Sequence, residues 1–479
     1  WSDERFHLYN DHGDYDPVID DQTGFVIIDG LQIFASYQYQ YGITLFAIND
    51  GRFSTVKNCI LRSDLEPDMA AIHTSSYANT YYIYNNIIYD FTAGISRLDG
   101  TTYIVNNTFV DCSGYGVWST GNRPRILKNN IEQGAAVSYY VDGGGSFTAG
   151  SDFNVSDDAY STGGANDKTN ATVQFADKGS DDFHLDPVDT VARDSGVAVS
   201  SDVTLNMTAD IDAETRPAGL GWDIGADEAP VAIYRSVGPG STTALAGGWT
   251  GTTLTISGTT VTLSADLTSN IGVGDVFEYD ADDNGTNDSV CFISGRVNSR
   301  EFTAASLTGS TPVQCAAADS DWELYRAYTS LSDAEAGSEN SGCALFGSSV
   351  TDSGDMNLVT ENMQWNIACY ADGEDTTAVV IENWTTSGYT YLRVFTPESS
   401  SEVGVSQRHT GKWQKSTQAY TLHVSDDACI HSEQTSGFLR IEGLQLYITT
   451  TSGLNLACVA PVHLSGFRMT SNIIRGDLH

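Results

Sequence analysis

The sequence predicts an all-β protein whose first half is a β-solenoid, and three observations carry that reading. One is composition: 479 residues with 46 Gly and 24 Tyr, 40% hydrophobic and only 18% charged, favour strands joined by tight turns over long helices. Another is a short repeat centred on asparagine. The third is a self-similarity that spans almost the whole chain.

The first domain is read as residues 1–233. Between residues 56 and 131 the segments "VKNCIL", "YIYNNIIYD", "YIVNNTFVD" and "RILKNNIEQ" each set one or two Asn between apolar runs. Aligned on the last Asn of each, they place Asn58, Asn86, Asn107 and Asn130 at intervals of 28, 21 and 23 residues. A period of that size is one rung of a solenoid, which buries its apolar face only by stacking on the next rung. At the rung corner an Asn tolerates the left-handed conformation, and its amide can hydrogen-bond to the same amide one rung away. The four residues are therefore expected to form an Asn ladder, with Asn154 in "SDFNVSDD" as a further member.

Residues 234–327 follow as a Thr/Ser/Gly-rich module, with alternating segments such as "TTLTISGTTVTLSADL" that predict a small β-sandwich or barrel. Inside it, "DADDNGTND" puts Asp280, Asp282, Asn284, Thr286 and Asp288 at alternating positions around Gly285. Hard oxygen donors in that pattern are what Ca²⁺ requires, so these five residues are the expected calcium ligands and Ca²⁺ the expected cofactor. Cys291 stands where an EF-hand would carry its bidentate Glu, which calls for a ligand from elsewhere. Cys291 and Cys315 lie close enough in sequence to be a candidate disulfide in an oxidising compartment, and the other six cysteines read as small buried hydrophobes.

Residues 328–479 are read as a helical cap followed by the first rungs of a second solenoid. "YTSLSDAEAG" predicts a short helix with Ser332 and Glu335 as its capping box. After it, "SGFLRIEGLQLY" (436–447) returns "TGFVIIDGLQIF" (23–34), and the register 443 − 30 = 413 also matches Asp477-Leu478 to Asp64-Leu65 and sets Trp413 near the place of Trp1. The stretch thus repeats residues 1–66, and the ending "SNIIRGDLH" suggests a piece of a longer chain.

The Asn-centred rungs make residues 24–228 resemble the right-handed parallel β-helix proteins, the pectate-lyase-like superfamily. "FHLDPVDTVARDSGV" from Phe183 and "DIDAETRP…GWDIGADE" ending at Glu228 resemble the segment that closes such helices in secreted bacterial proteins. The metal loop is similar to the DxDxNG calcium loops of extracellular repeat modules. The resemblance implies a fold and leaves function open, because that superfamily holds lyases, hydrolases, adhesins and inert stalks.

With 23 basic against 62 acidic residues and a net charge of −39, the chain has no footprint for nucleic acid or anionic membranes, and no apolar run long enough to span a bilayer. Asp64, Asp90, Asp99 and Asp111, with Arg62 or Arg97 as the cation, are the candidate catalytic groups. The paired-Asp, Gly-His-Gly and Arg-x-Lys patterns of the polygalacturonase branch are missing from these rungs, so no catalysis is expected. The nine His show no ligand or triad spacing, and Trp322, Trp384 and Trp413 read as core before sugar platforms. The expected protein is an extracellular, surface-located structural rod, filament or adhesin. Its expected partner is itself, as a head-to-tail homopolymer or as tandem copies in one chain, with surface glycans as further ligands. The alternative is a secreted polysaccharide lyase, hydrolase or polysaccharide-binding β-helix protein.

Overall fold

The computed structural model describes residues 7–9, 16–37, 39–46, 51–64, 69–75, 79–120, 123–187, 189–199, 205, 207–346, 356–433, 437–450, 457–462 and 464–478. The chain divides into two compact units, 1–229 and 230–479.

The first unit is a parallel β-helix with three faces, visited in turn by every rung. Face one stacks His7–Tyr9, Gln32–Ala35, Ile60–Ser63, Ile87–Tyr89, Thr108–Val110, Ile131–Gln133 and Val155–Ser156. Face two stacks Ile19–Asp21, Ile43–Leu45, Ala70–Thr74, Ala93–Ser96, Tyr115–Ser119 and Val137–Val141. Face three stacks Ile27–Asp29, Phe53–Lys57, Thr80–Tyr84, Thr101–Val105 and Arg125–Lys128. In-register pairing lines up one inward residue per rung: Ile33, Leu61, Ile88 and Phe109 on face one. Ile43, Ile72, Ile95, Val117 and Tyr139 do so on face two, and Ile28, Val56, Ile83, Ile104 and Leu127 on face three. All are buried in one core. Each such side chain contributes about 1.5–3 kcal/mol, and β-branched residues suit the flat inner surface of a parallel sheet.

The corner from face three to face one is two residues long, and the structure splits the work expected of one Asn between two columns. The first residue of each corner is left-handed, with φ of 53° at Asn58, 52° at Asn85, 50° at Asn106 and 53° at Asn129. The second residue points inward: Asn86 Nδ2 donates to Asn107 Oδ1 at 2.9 Å, Asn107 to Asn130 at 3.1 Å, and Asn130 to Asn154 at 2.9 Å. Asp167 ends the column by accepting from the Asn154 backbone N–H at 3.0 Å. Asn58 therefore belongs to the outer column and not to the ladder in which its alignment on the last Asn put it. Cys59 takes the inner place in that rung, its backbone N–H donating to Asn86 Oδ1 at 3.0 Å.

The outer asparagines have a second task. Asn85 Nδ2 donates to Ala209 O at 2.7 Å, Asn106 Nδ2 to Gly225 O at 3.0 Å, and Asn129 Nδ2 to Val197 O at 2.8 Å. The described residues between 171 and 229 thus dock along this corner as a lateral strap. Val173, Phe183, Leu185 and Ile224 cover the outward side chains Ile87, Tyr89, Val110 and Ile131 of face one. Val199, Leu205, Met207 and Trp222 cover Tyr82, Tyr84 and Tyr103 of face three. The strap is tied by an Arg216–Glu228 ion pair at 2.7 Å with both side chains fully buried.

The second unit contains another parallel β-helix, and it starts earlier than the expected boundary at 328. Val231–Val237 pairs in parallel with Met363–Cys369, followed by Leu392–Phe395, Phe438–Glu442 and Gly466–Thr470. A second face stacks Glu374–Asp375, Thr421–Ser425, Gln445–Thr450 and Ile473–Leu478, and a third Val379–Ile381, Ile430–Ser432 and Val459–Pro461. The Thr/Ser-rich module is consequently an insertion within this solenoid. It is an eight-stranded antiparallel sheet between Ala246 and Tyr325, wrapped around a core that includes Phe277, Phe302 and Trp322. Local strand and turn signals reveal such a module, whereas the pairing of residue 231 with residue 363 depends on contacts far apart in sequence. The one α-helix among the described residues is Leu331–Ala336. Its N-cap is Ser330, whose side chain accepts from Asp333 N–H at 3.0 Å, so the cap sits two residues before the expected Ser332. Glu335 instead accepts from the Glu382 backbone N–H at 3.1 Å.

At a register of 413, the last rungs of the second unit copy the first rungs of the first. Phe53–Lys57 corresponds residue for residue to Gly466–Thr470, and Ile60–Ser63 to the start of Ile473–Leu478. Gly30 and Gly443 share a positive φ of 70° and 79°, and Asn58 and Ser471 one of 53° and 55°. Asn472, the counterpart of Cys59, donates its amide to Ile441 O at 2.8 Å and Thr470 O at 2.9 Å, as Asn86 does to Val56 O and Tyr84 O. Cys59→Asn should therefore fit, and chemical denaturation is expected to find it equal to the parent or more stable by about 1 kcal/mol. A loss of more than about 1 kcal/mol would show that the two corners are not equivalent.

Candidate functional site

The expected metal loop joins two paired antiparallel strands, Val276–Tyr279 and Ser289–Arg296. Asp283 and Gly285 turn it with φ of 60° and 86°. This brings the carboxylates of Asp280, Asp282 and Asp288 together, with one oxygen of each within 4.8 Å of the others. Asp280 is only 2% exposed. Its Oδ2 accepts the backbone N–H groups of Gly285 at 2.5 Å and Thr286 at 3.2 Å. Its Oδ1 is buried with no hydrogen-bond partner, as is Oδ1 of Asn287 in the same loop. Burial pulls the Asp280 carboxyl upward, but the Gly285, Asn284 and Thr286 amides outweigh it and its pKa is lowered, so the group is an anion at neutral pH. Asp319, 3% exposed at the end of Cys315–Asp319, accepts from Asp280 N–H at 3.2 Å and fixes the root of the loop.

Three converging carboxylates and a buried, unpartnered carboxylate oxygen fit a hard divalent cation, since a lone pair left unmatched in the interior is costly unless a ligand meets it. Thr286 uses its backbone N–H on Asp280, and Asn284 sits exposed on the same turn. Asn287 falls between the alternating positions, so the donor pattern in the sequence does not mark it. Cys291 is buried on the following strand opposite Phe277, remote in role from the ligand set. Cys291 and Cys315 are both thiols buried in the module core.

Of the acidic residues on the first unit, Asp64, Asp90 and Asp111 line one shallow cleft of about 350 Å³ with Phe91 and Ser113. They sit at the corner from face one to face two, where Asp90, Asp111 and Gly134 all have positive φ. Burial, with Asp181 and Asp111 beside it, pushes Asp90 up to about 6. Lys178 of the strap pairs with Asp111 at 2.8 Å, and Arg62 lies 4.0 Å from Asp181. Asp99 stands apart and accepts from Thr120 Oγ1 at 3.3 Å. On face two Tyr115 stacks with Trp118 and Tyr140 at 5.6 Å and 5.3 Å, a half-exposed aromatic row that isolated residues in the sequence did not signal. Trp322 and Trp384 are core residues, and Trp413 is half-buried against Tyr447.

One further acid stands in the core itself. Glu132 pairs in register with Phe109 on the inward column of face one, and burial first, then Asp157 and Asp158, push it up to about 8. Ser138 Oγ and Ala135 N–H donate to it. A carboxyl with its folded pKa above the unfolded value stabilises the fold most at low pH, and that contribution is lost as pH rises from about 4 through about 8. Glu132→Gln should remove this slope and exceed the parent in stability at pH 9 by on the order of 2 kcal/mol. Parallel stability curves for the two proteins between pH 5 and pH 9 would contradict the assignment.

Comparison with protein-family models, curated proteins and solved structures finds no match to this chain.

Proposed function

We propose that this chain is a structural subunit of an extracellular rod, built by end-to-end stacking of copies of itself, as separate chains or as tandem copies in one polypeptide. The observation that supports this reading is the equivalence of the last rungs of the second unit to early rungs of the first. Among the described residues His7–Tyr9, Ile19–Asp21 and Ile27–Asp29 pair on one side only, as do Val459–Pro461, Gly466–Thr470 and Ile473–Leu478. Unpaired parallel edges are templates for further strands. Tyr9, Phe25 and Ile27 near one edge and Ile474 at the other are large apolar residues 55–64% exposed. Contact between unlike ends is heterologous, so it propagates into a linear polymer. The net charge of −39 opposes lateral clumping.

Sedimentation velocity over a concentration series should show growing species for the parent chain. Ile27→Glu combined with Ile474→Glu should stay monomeric, because Ile27 and Ile474 are exposed apolar residues of the two edges, 64% and 55% exposed. A parent chain that stays monomeric throughout would overturn the proposal.

Calcium is proposed as the ion of the 280–288 loop, holding the inserted module rigid. Millimolar Ca²⁺ should raise the melting temperature, since a ligand at about 100 times its Kd adds about 2.7 kcal/mol. Asp282→Asn with Asp288→Asn, both exposed, should abolish the shift without unfolding the protein. An identical rise in parent and variant would place the ion elsewhere.

A second reading, a polysaccharide-binding or polysaccharide-cleaving protein, is favoured by the Asp64–Asp90–Asp111 cleft and the Tyr115–Trp118–Tyr140 row. Release of reducing or unsaturated ends from acidic polysaccharides, lost in Asp90→Asn, would support it over the inert rod.

A further inference from the structure

We propose that Cys429 and Cys458 form a disulfide that staples two adjacent rungs of the second solenoid when the chain meets a small-molecule disulfide oxidant. Ile430–Ser432 and Val459–Pro461 are parallel partners with Ile430 opposite Val459, so the two cysteines, each one residue earlier, face each other across the ladder. Cys429 N–H donates to Cys458 O at 3.0 Å. Adjacent strands lie about 4.8 Å apart, inside the ~4.4–6.8 Å Cα separation that a disulfide spans. The two Sγ atoms are already 3.3 Å apart and share a hydrogen bond. Other thiols are directed elsewhere: Cys59 towards Lys57 O at 3.0 Å, Cys343 towards Glu278 Oε1 at 3.1 Å, and Cys315 towards Ala317 O at 3.3 Å.

The pair is also placed where a staple has an effect. Val459–Pro461 is a three-residue edge strand, and Pro461 has no N–H to give to the ladder. In the first unit the same ladder position, one residue before the Ile19–Ile43 pair, is held by Val18 and Gly42, so its opening rungs carry no such pair there. Cys458 is the more exposed partner, and the hydrogen bond it shares with Cys429 lowers its pKa, which favours its thiolate as the attacking group. In the first step Cys458 S⁻ attacks one sulfur of the oxidant RSSR and expels RS⁻. Cys429, giving up its proton, then attacks the Cys458 sulfur of the mixed disulfide and expels the second RS⁻. Two protein thiols lose two electrons and two protons, and one RSSR becomes two RSH.

The test uses the full chain, reduced, freed of reductant and exposed to oxidised glutathione, then alkylated and digested without reduction. Mass spectrometry should find one linked peptide pair, containing residues 429 and 458 and lighter by two hydrogens than the separate peptides. The oxidised protein should melt several degrees higher, and reductant should reverse the gain. Cys458→Ser should remove both the link and the shift while melting like the reduced parent. Recovery of residues 429 and 458 as separate alkylated peptides, glutathione retained on Cys458 without a link, or a link between any other pair would overturn the proposal.

Discussion

Replacing Asn107 by Leu is expected to destabilise the first unit by about 4 kcal/mol, a fall in melting temperature of about 12 °C. Asn107 is fully buried, and its Oδ1 accepts both the backbone N–H and the side-chain amide of Asn86, at 3.1 Å and 2.9 Å. Its Nδ2 donates to Ile83 O at 2.9 Å and Val105 O at 3.2 Å, besides Asn130. Leu fills the volume but takes away the acceptor of the Asn86 backbone N–H and the side-chain donor to Ile83 O in a site closed to water, and each orphaned group costs about 1–3 kcal/mol. Asn154 is 1% exposed and equally bonded, with Nδ2 to Leu127 O at 3.0 Å and Thr162 Oγ1 at 3.1 Å, so Asn154→Leu should cost nearly as much despite its place near the end of the array. Thermal and urea unfolding of both variants check this. A cost below about 1 kcal/mol at Asn107 would mean that the ladder is incidental to stability.

Arg216→Met is expected to release the strap, at a cost of about 3–5 kcal/mol. The Arg216 guanidinium meets Glu228 Oε2 at 2.7 Å and Gly225 O at 2.9 Å, and both side chains of the pair are fully buried. Burial already pushes Glu228 up to about 7 against the pull of Arg216, so without the arginine the carboxyl must take up a proton or draw in water. Limited proteolysis should then cut within residues 171–229 while the rungs stay protected. Adding Glu228→Gln should recover part of the loss, because the orphaned charge is gone. If both the single and the double variant resist protease like the parent, the pair does not hold the strap.

The rungs were legible because two Asn flanked by apolar residues recur at rung length, a purely local pattern. The division of labour within the corner was not. The rung at Asn58 carries one Asn, and its neighbour Cys59 fills the inner place with a thiol that no Asn-based alignment would choose. The docking of Asn85, Asn106 and Asn129 against residues 197–225 joins positions 68 to 124 residues apart, beyond any local signal. The same reason hid the pairing of Val231–Val237 with Met363–Cys369, and with it the fact that the module is an insertion. At the metal loop, alternating oxygen donors gave away Asp280, Asp282 and Asp288, while the buried oxygen of Asn287 depends on how the turn closes. The Cys429–Cys458 neighbourhood could have been read from the sequence, since 458 − 429 = 29 is about one rung.

Assembly requires the edge strands near residue 7 of one copy to recognise those near residue 478 of the next. Electron microscopy of the purified chain at high concentration with calcium tests it most directly. Slender, unbranched filaments of uniform width, absent from the Ile27→Glu, Ile474→Glu variant, are the predicted result; monodisperse single particles of the parent at every concentration would contradict it.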